Sequence, residues 1–459
     1  MTAPWSESSV CAALGIEPPA EDRERGGEAR PFSEISTDTR TLGPDALFLA
    51  LTGERFDGHE YLAAARDGGA WGAVVRHGTP SVEGLRLYPV ADTLVALGRL
   101  ARHRRDVMDG PVVAITGSNG KTSTKEMVAA VLGTRFRTHA THANLNNLIG
   151  IPLTILQTPA DAQALVLEAG ASVPGEIGRS RDIIDPTVVV VTNVGASHLE
   201  GFGSEEGVLR EKLELVRDVP LAVVGPEPTA LATGARAVAG RVVTAGLGDS
   251  DIVPESIEFG ADGHAVVRID GLSFRIPGPG KHLAANAMLA WAVVRELGLE
   301  PLAAAAALEG ANFPGGRGDI RRQAGLTIMD DCYNANPESF RAAIATVERL
   351  RPGHRLVWVV GTMRELGASA AELHEAIAGE LVSSKPDLIA AVGAFVPALE
   401  AHRERLGDSL ISAADVAGLG AALAPRLEAG DLVVLKASRG VALEGILPYL
   451  LDHDRSPDG

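Results

Sequence analysis

The sequence predicts a three-domain α/β protein: a small N-terminal α/β domain, a central P-loop-type ATPase domain with a parallel-rich sheet, and a C-terminal Rossmann-like doubly wound domain. Three observations carry that prediction. The chain has 459 residues, enough for about three domains with well-buried cores. Near residue 112 an apolar strand-like run turns through a glycine-containing loop into a helix. Beyond residue 318, apolar strand-like segments alternate with helical ones.

Residues 1–107 read as the first domain. Ala46–Leu51 and Trp71–Arg76 have strand character, a helix is expected over about His59–Asp67, and the charged stretch Glu21–Arg30 reads as loop. Ser36-Thr37-Asp38-Thr39-Arg40 gathers hydroxyls and a guanidinium, chemistry that suits a diphosphate. A capped turn with a solvated arginine is the simpler account of those five residues alone.

Residues 108–316 form the second domain. Val112–Thr116 runs into Gly117-Ser118-Asn119-Gly120-Lys121-Thr122-Ser123, then into a helix with Met127, Val128, Val131 and Leu132 on one apolar face. Glycines let backbone N–H groups close around an anion, and the following helix N-terminus adds its positive dipole. Lys121 can reach terminal phosphates and the Thr122 hydroxyl can hold Mg²⁺. Ile115 stands where the strict Walker pattern has glycine. These parts in this order predict a nucleotide triphosphate site.

Thr138–Asn147 is polar and reads as either a surface loop or a substrate-lining one. Two buried strands follow, Ala164–Ala169 with Glu168 near its end and Thr187–Thr192 leading to His198. In open α/β sheets ligands sit beyond the carboxyl ends of strands, which places both residues where a metal nucleotide would bind. Taken singly, Glu168 reads as a solvated carboxylate and His198 as a helix cap.

Ser204 caps a helix whose stripe is Leu209, Leu213 and Val216; Lys212, between Glu211 and Glu214, is by itself most simply a surface lysine. Residues 220–281 read as β-rich, followed by an apolar helix that carries Asn286. A linker, Phe313–Gly318, leads to the third domain, 317–459. There the expected strands are Leu326–Met329, Leu356–Val360, Leu388–Val392 and Leu432–Leu435, with helices near 338–350, 370–383, 414–426 and 441–451. No glycine fingerprint follows the first of these strands, which argues against a dinucleotide there.

Composition narrows the partners. Lys and Arg total 42 against 59 Asp and Glu, a formal charge of −17, which argues against nucleic acid or an anionic membrane. The two cysteines, Cys11 and Cys332, have no ligand spacing. The N-terminus lacks a signal-peptide pattern, and the longest apolar run, Leu283–Val294, is too short to span a bilayer. The expectation is a cytoplasmic monomer with no stable membrane insertion.

Several motifs together resemble the Mur ligases, ATP-dependent amide-forming enzymes of peptidoglycan synthesis. Gly117–Thr122 is similar to their GxNGKT loop, and Asn144-Leu145-Asn146-Asn147 with Gly150–Thr154 to their NxNNxxGxPLT segment. Glu168-Ala169-Gly170, Gly175-Glu176-Ile177 and Asn193–Glu200 resemble their metal-site stretches. Asp331–Pro337 resembles the DxYNANP segment of the last ligase of the series, and Lys436–Arg439 its KGSR. The resemblance covers nearly the whole chain.

It implies ATP phosphates on Gly117–Ser123, and Mg²⁺ on Thr122, Glu168, His198 and a carbamylated Lys212. Lys121, His198 and Lys212 are then the catalytic groups; Asn286, Arg317, Asp331 and Asn336 the further ATP contacts; and Thr39, Arg40, Thr141, Asn144, Asn146 and Asn147 the substrate-binding ones. The implied partners are UDP-N-acetylmuramoyl-tripeptide and D-alanyl-D-alanine, joined through an acyl phosphate. Leu148, Ala169, Thr362 and Ala437 depart from the family pattern. Alternatives are an earlier ligase of the series that adds a single amino acid, the more distant folylpolyglutamate synthases, and a non-catalytic nucleotide-binding relative.

Overall fold

The computed structural model describes residues 5–17, 31–53 and 55–452. The expected loop at Glu21–Arg30 therefore lies outside the described residues. The chain divides into two compact units: residues 1–116 with 135–171 and 175–189, and residues 117–134 with 172–174 and 190–459.

In the first unit, β1 (Ile35–Ser36), β2 (Ala46–Leu49), β3 (Ala70–Arg76) and β4 (Arg86–Val90) form a four-stranded sheet in sequence order, every pair parallel. Phe48, Ala73 and Val75 pack with Leu62 and Ala65 of the helix Leu62–Asp67, which a single 3-10 turn, Gly58–Tyr61, precedes. The expected helix over 59–67 is thus two pieces. β4 and the helix Thr93–Asp106, whose N-cap Asp92 accepts from Leu94 and Val95 N–H, were not anticipated.

The central strands are β5 (Val112–Thr116), β6 (Thr138–Ala140), β7 (Ala164–Glu168), β8 (Val188–Val191), β9 (Leu221–Val224) and β10 (Arg241–Thr244). Their order is β10-β9-β8-β5-β7-β6, so the order reverses at β5, the strand that feeds the phosphate loop. β7 pairs parallel with β5 and β6, and β10 pairs parallel with β9. β5, β7, β8 and β9 are buried along their whole length and almost wholly apolar, as strands covered on both faces require, whereas the edge strands β6 and β10 are more polar.

One sequence reading in this region gains an element and another needs correction. The stretch 220–281 contains the helix Thr229–Val238 before the antiparallel sheet of β11 (Ser256–Phe259), β12 (His264–Ile269) and β13 (Leu272–Pro279). The helix Glu205–Val216 buries Val208, Glu211, Lys212, Leu215 and Val216, with Lys212 only 1% exposed. Lys212 is not a surface lysine. The helix is packed on more than one side: Leu213 lies against Gly234, where an added Cβ would meet its Cδ1 at 2.5 Å. Periodicity alone could not reveal two contact faces.

The last sheet runs β14-β15-β19-β16-β17-β18, built from Asp319–Gln323, Leu326–Asp331, Lys436-ended Leu432–Lys436, Leu356–Val360, Leu388–Val392 and Leu410–Ala413 respectively. Only β14 is antiparallel, against β15. Alternation places Leu432 and Val434 of β19 in one core with Trp358, Phe340 and Phe395, and Val433 and Leu435 in the other with Val357, Val359 and Leu443. That two-sided core is the doubly wound layer expected from the sequence. Among the described residues no helix is long and apolar enough to cross a membrane.

Candidate active site

Sterics shape the phosphate loop. Gly117 has φ 147°, and a Cβ there would sit 1.9 Å from Thr192 Oγ1. Gly120 has φ 79°, and its Cβ would meet Asn286 Nδ2 at 2.7 Å. Only glycine fits either position. The segment after β8 then ties the loop down: Ser118 N–H donates to Asn193 O, Asn119 N–H to Asn193 Oδ1, and Gly195 N–H to Ser118 Oγ, each at 3.0 Å.

The helix Lys121–Gly133 starts directly from Gly120 with no side-chain cap, so no capping side chain competes with an anion for its first N–H groups. Thr122 and Ser123 are buried in its first turn. The Lys121 ammonium folds back over the loop and donates to Gly117 O at 2.8 Å. Asn286, on the helix Lys281–Glu296, is 5% exposed and lies against Gly120.

Glu168 closes β7. Its N–H donates to Thr141 Oγ1 at 3.0 Å and its Oε1 accepts from Asn146 Nδ2 at 2.8 Å. The structure thus brings Thr141, Asn146 and Glu168 together. Asn147 instead accepts from Ile149 and Gly150 N–H at the start of the helix Gly150–Leu156, and Asn144 is exposed. The polar segment 138–147 is a short strand followed by a loop. At 36–40, Arg40 is 87% exposed and grips Asp38 through Nε and Nη2 at 2.8 and 2.6 Å, holding that carboxyl down at about 2. Thr39 is half-buried beside it.

His198 has a left-handed backbone, φ 51°, and its Nδ1 lies 2.5 Å from Glu365 Oε2. Among the described residues no three of His, Cys, Asp and Glu gather as a metal cage. The donor set expected for Mg²⁺ is instead mixed: a hydroxyl, a carboxylate, an imidazole and the fully buried Lys212. That suits an ion that keeps waters and phosphate oxygens in its shell.

The segment 330–338 reaches the phosphate loop. Asn336 caps the helix Pro337–Leu350 through Ser339 N–H, and its Nδ2 donates to Asn119 Oδ1 at 2.9 Å. Two residues later, Glu338 Oε1 accepts from Ala196 N–H at 3.2 Å, while its Oε2 is buried without a hydrogen-bond partner. Burial pushes that carboxyl above its ordinary range. Asp331 pairs with the buried Lys436 at 2.5 Å; burial raises its carboxyl and the ammonium opposes the rise. Arg317 stacks on the Tyr333 ring at 3.8 Å. Sequence reasoning missed Glu338 and Glu365. The only signal was their place inside the ANPES and MRELG segments.

Three family models match: "Mur ligase family, catalytic domain" over residues 31–105, "Mur ligase middle domain" over 115–294 and "Mur ligase, glutamate ligase domain" over 316–439. The UDP-N-acetylmuramoyl-tripeptide–D-alanyl-D-alanine ligase of Bacillus subtilis (strain 168) is 36% identical over 431 residues, 91% of this chain and 93% of its own. The chain belongs to the Mur ligase family. Among solved structures, this Mur ligase is similar to MurF from Acinetobacter baumannii, with TM-score 0.87, 29% identity, and 98% and 99% of the two chains covered. MurF ligase from Thermotoga maritima, solved in complex with ADP, gives TM-score 0.81 and 28% identity over 91% of this chain and 97% of its own.

Proposed function

We propose that this Mur ligase joins D-alanyl-D-alanine to the terminal carboxylate of UDP-N-acetylmuramoyl-tripeptide at the expense of ATP, in peptidoglycan precursor synthesis. The observation that carries the reading is the Asn336–Asn119 hydrogen bond, which couples the DCYNANP segment to an uncapped, glycine-only phosphate loop. The 36% identity to a ligase of that name supports it. We place the protein in the cytoplasm, where ATP is available.

A substrate carboxylate oxygen attacks the γ-phosphorus and ADP leaves, giving an acyl phosphate. The dipeptide amine then attacks the acyl carbon, phosphate leaves and the amine gives up a proton. Two anions must meet in the first step, so the chain must neutralise charge at the transferring group. Lys121 swings from Gly117 O onto the terminal phosphates, and the N–H groups of residues 120–123 hold them from the helix side. Asn286 holds the loop's flank at Gly120; Arg317, Asp331 and Asn336 contact the rest of the nucleotide. Thr39 and Arg40 bind the uridine diphosphate, and Thr141, Asn144, Asn146 and Asn147 line the path to the peptide.

Thr122, Glu168, His198 and Lys212 would hold Mg²⁺, which supplies a positive charge shared between phosphate oxygens. Lys212 is best suited as its carbamate, because a buried ammonium would repel the ion whereas a carbamate offers it an anionic oxygen. The test is phosphate release from MgATP with the UDP-muramoyl tripeptide, with and without D-alanyl-D-alanine. Dipeptide-dependent release with a UDP-muramoyl pentapeptide mass is expected. Release driven by a single amino acid would assign an earlier step of the series, and no release with any amine would make the chain a nucleotide-binding relative.

A further inference from the structure

We infer that Glu365 is a positioning residue for His198: its carboxylate fixes the imidazole so that Nε2 is the nitrogen presented to the metal nucleotide. The inference rests on the metal role proposed above for His198, and it adds a residue that no sequence motif assigned.

The geometry comes from both sides of the contact. Glu365 Oε2 lies 2.5 Å from His198 Nδ1, and the Glu365 carbonyl accepts from Glu200 N–H at 3.2 Å. One residue therefore holds the His198 segment by side chain and backbone. Gly367 completes the seat: its φ is 58°, and a Cβ there would meet Glu200 Cα at 3.1 Å. The ring of His198 also meets Phe202 edge-on, 6.4 Å between centroids at 84°. With Nδ1 turned to a carboxylate, Nε2 remains as the ligating nitrogen. Histidine ligands commonly carry a carboxylate beside the outer ring nitrogen, which biases both tautomer and ring angle.

The holder is rigid. The loop after β16 is pinned at Met363, whose N–H donates to His374 Nε2 at 2.9 Å. It is pinned again at Arg364, whose N–H donates to Ser438 Oγ and whose guanidinium reaches Gly440 O, both at 2.9 Å. Met363 and Leu366 are buried on either side of Glu365. Both partners also have left-handed backbones, φ 51° at His198 and 64° at Glu365. Non-glycine residues hold that conformation at a cost that surrounding contacts must offset, and such residues cluster at working sites. An incidental surface ion pair needs neither the pinned loop nor two strained backbones.

Glu365 sits in the segment 361–367 and His198 in the segment 193–200, so the metal site gains its ring orientation only while those two segments touch. Metal affinity and segment docking are then one equilibrium.

The test uses the full-length enzyme with ADP and Mn²⁺ in place of Mg²⁺, reading Mn²⁺ affinity by electron paramagnetic resonance. Melting curves check that each variant folds. Removing an outer-shell partner weakens metal binding by about 10–100-fold in comparable sites. E365A should lose about tenfold in Mn²⁺ affinity. E365Q, which keeps an oxygen beside Nδ1 without the charge, should recover most of that loss. H198A separates the two readings. If H198A binds Mn²⁺ like the unaltered enzyme, the metal role of His198 fails. If H198A loses affinity while E365A does not, the positioning role of Glu365 fails alone.

Discussion

The phosphate loop and the segment 36–40 are both proposed to hold phosphate groups, yet they are built in opposite ways. Gly117–Ser123 is packed until no side chain fits at Gly117 or Gly120, and is braced from Thr192, Asn193, Gly195, Asn286 and Asn336. Ser36–Arg40 is a short half-buried turn with an exposed arginine that its neighbour Asp38 satisfies. The first is preorganised and loses little on binding. The second must trade an existing ion pair for a ligand, so its net contribution is small. Rigid construction belongs where bonds are made and broken; a loose turn is enough where a substrate is merely held.

Four changes would break or sharpen this contrast. The largest effect is expected for K121A: kcat should fall about 10²–10³-fold, with an unchanged melting temperature, in a steady-state phosphate-release assay. Equal activity would remove the loop from the chemistry. G120A comes next, because it adds a Cβ at 2.7 Å from Asn286 in a left-handed backbone. It should cost about 1–3 kcal/mol of stability by denaturant melts and raise KM for ATP.

N336A and N336D separate two jobs of one side chain. The alanine variant loses the helix cap, about 1 kcal/mol, and the link to Asn119. The aspartate variant keeps the cap but replaces the amide donor with an acceptor, so it should keep its melting temperature while turnover drops about tenfold. Should both variants turn over normally, the coupling is structural only. R40A should have the smallest effect, raising KM for the UDP substrate about threefold without altering kcat or stability. A large kcat defect there would erase the distinction between the two regions.

Glu338 adds a pH signature on the rigid side. Its carboxyl is raised by burial, so folding favours its protonated form relative to the unfolded chain. Stability linked to this group is therefore present at low pH and lost as pH rises through its folded range. E338Q keeps an acceptor for Ala196 N–H without the charge, and should flatten that slope, with a gain on the order of 2 °C at neutral pH in melts taken across the range.

How much of this could be read from the chain depended on distance along it. The strand–loop–helix at 112–133 is local and stands in the structure as the residues implied; the alternation after 318 is local too, but the structure adds β14 and β18, and the helix expected near 441–451 is two 3-10 turns, Arg439–Val441 and Leu443–Ile446, before the short helix Leu447–Leu451. Asn119 and Asn336 are 217 positions apart, and Ala196 and Glu338 are 142 apart. No periodicity links such pairs, so the only signal for Glu338 and Glu365 was their place inside the ANPES and MRELG segments. Lys212 was misread for a related reason, since helical spacing identifies a stripe but not how many partners the helix has. Thr362 is explained only by tertiary contact: its Oγ1 accepts from Ala394 N–H at 2.9 Å, tying together the ends of two strands.

The crowding at Gly117 and Gly120 also bears on how this site could change over generations. Any amino-acid substitution at either glycine places a side chain where Thr192 or Asn286 already stands. An inhibitor that gripped only the amides of residues 117–122 would touch backbone that such changes cannot re-chemise without damaging the loop. Resistance to it would have to arise elsewhere, in the amount of enzyme made or in the traffic of the drug across the cell envelope.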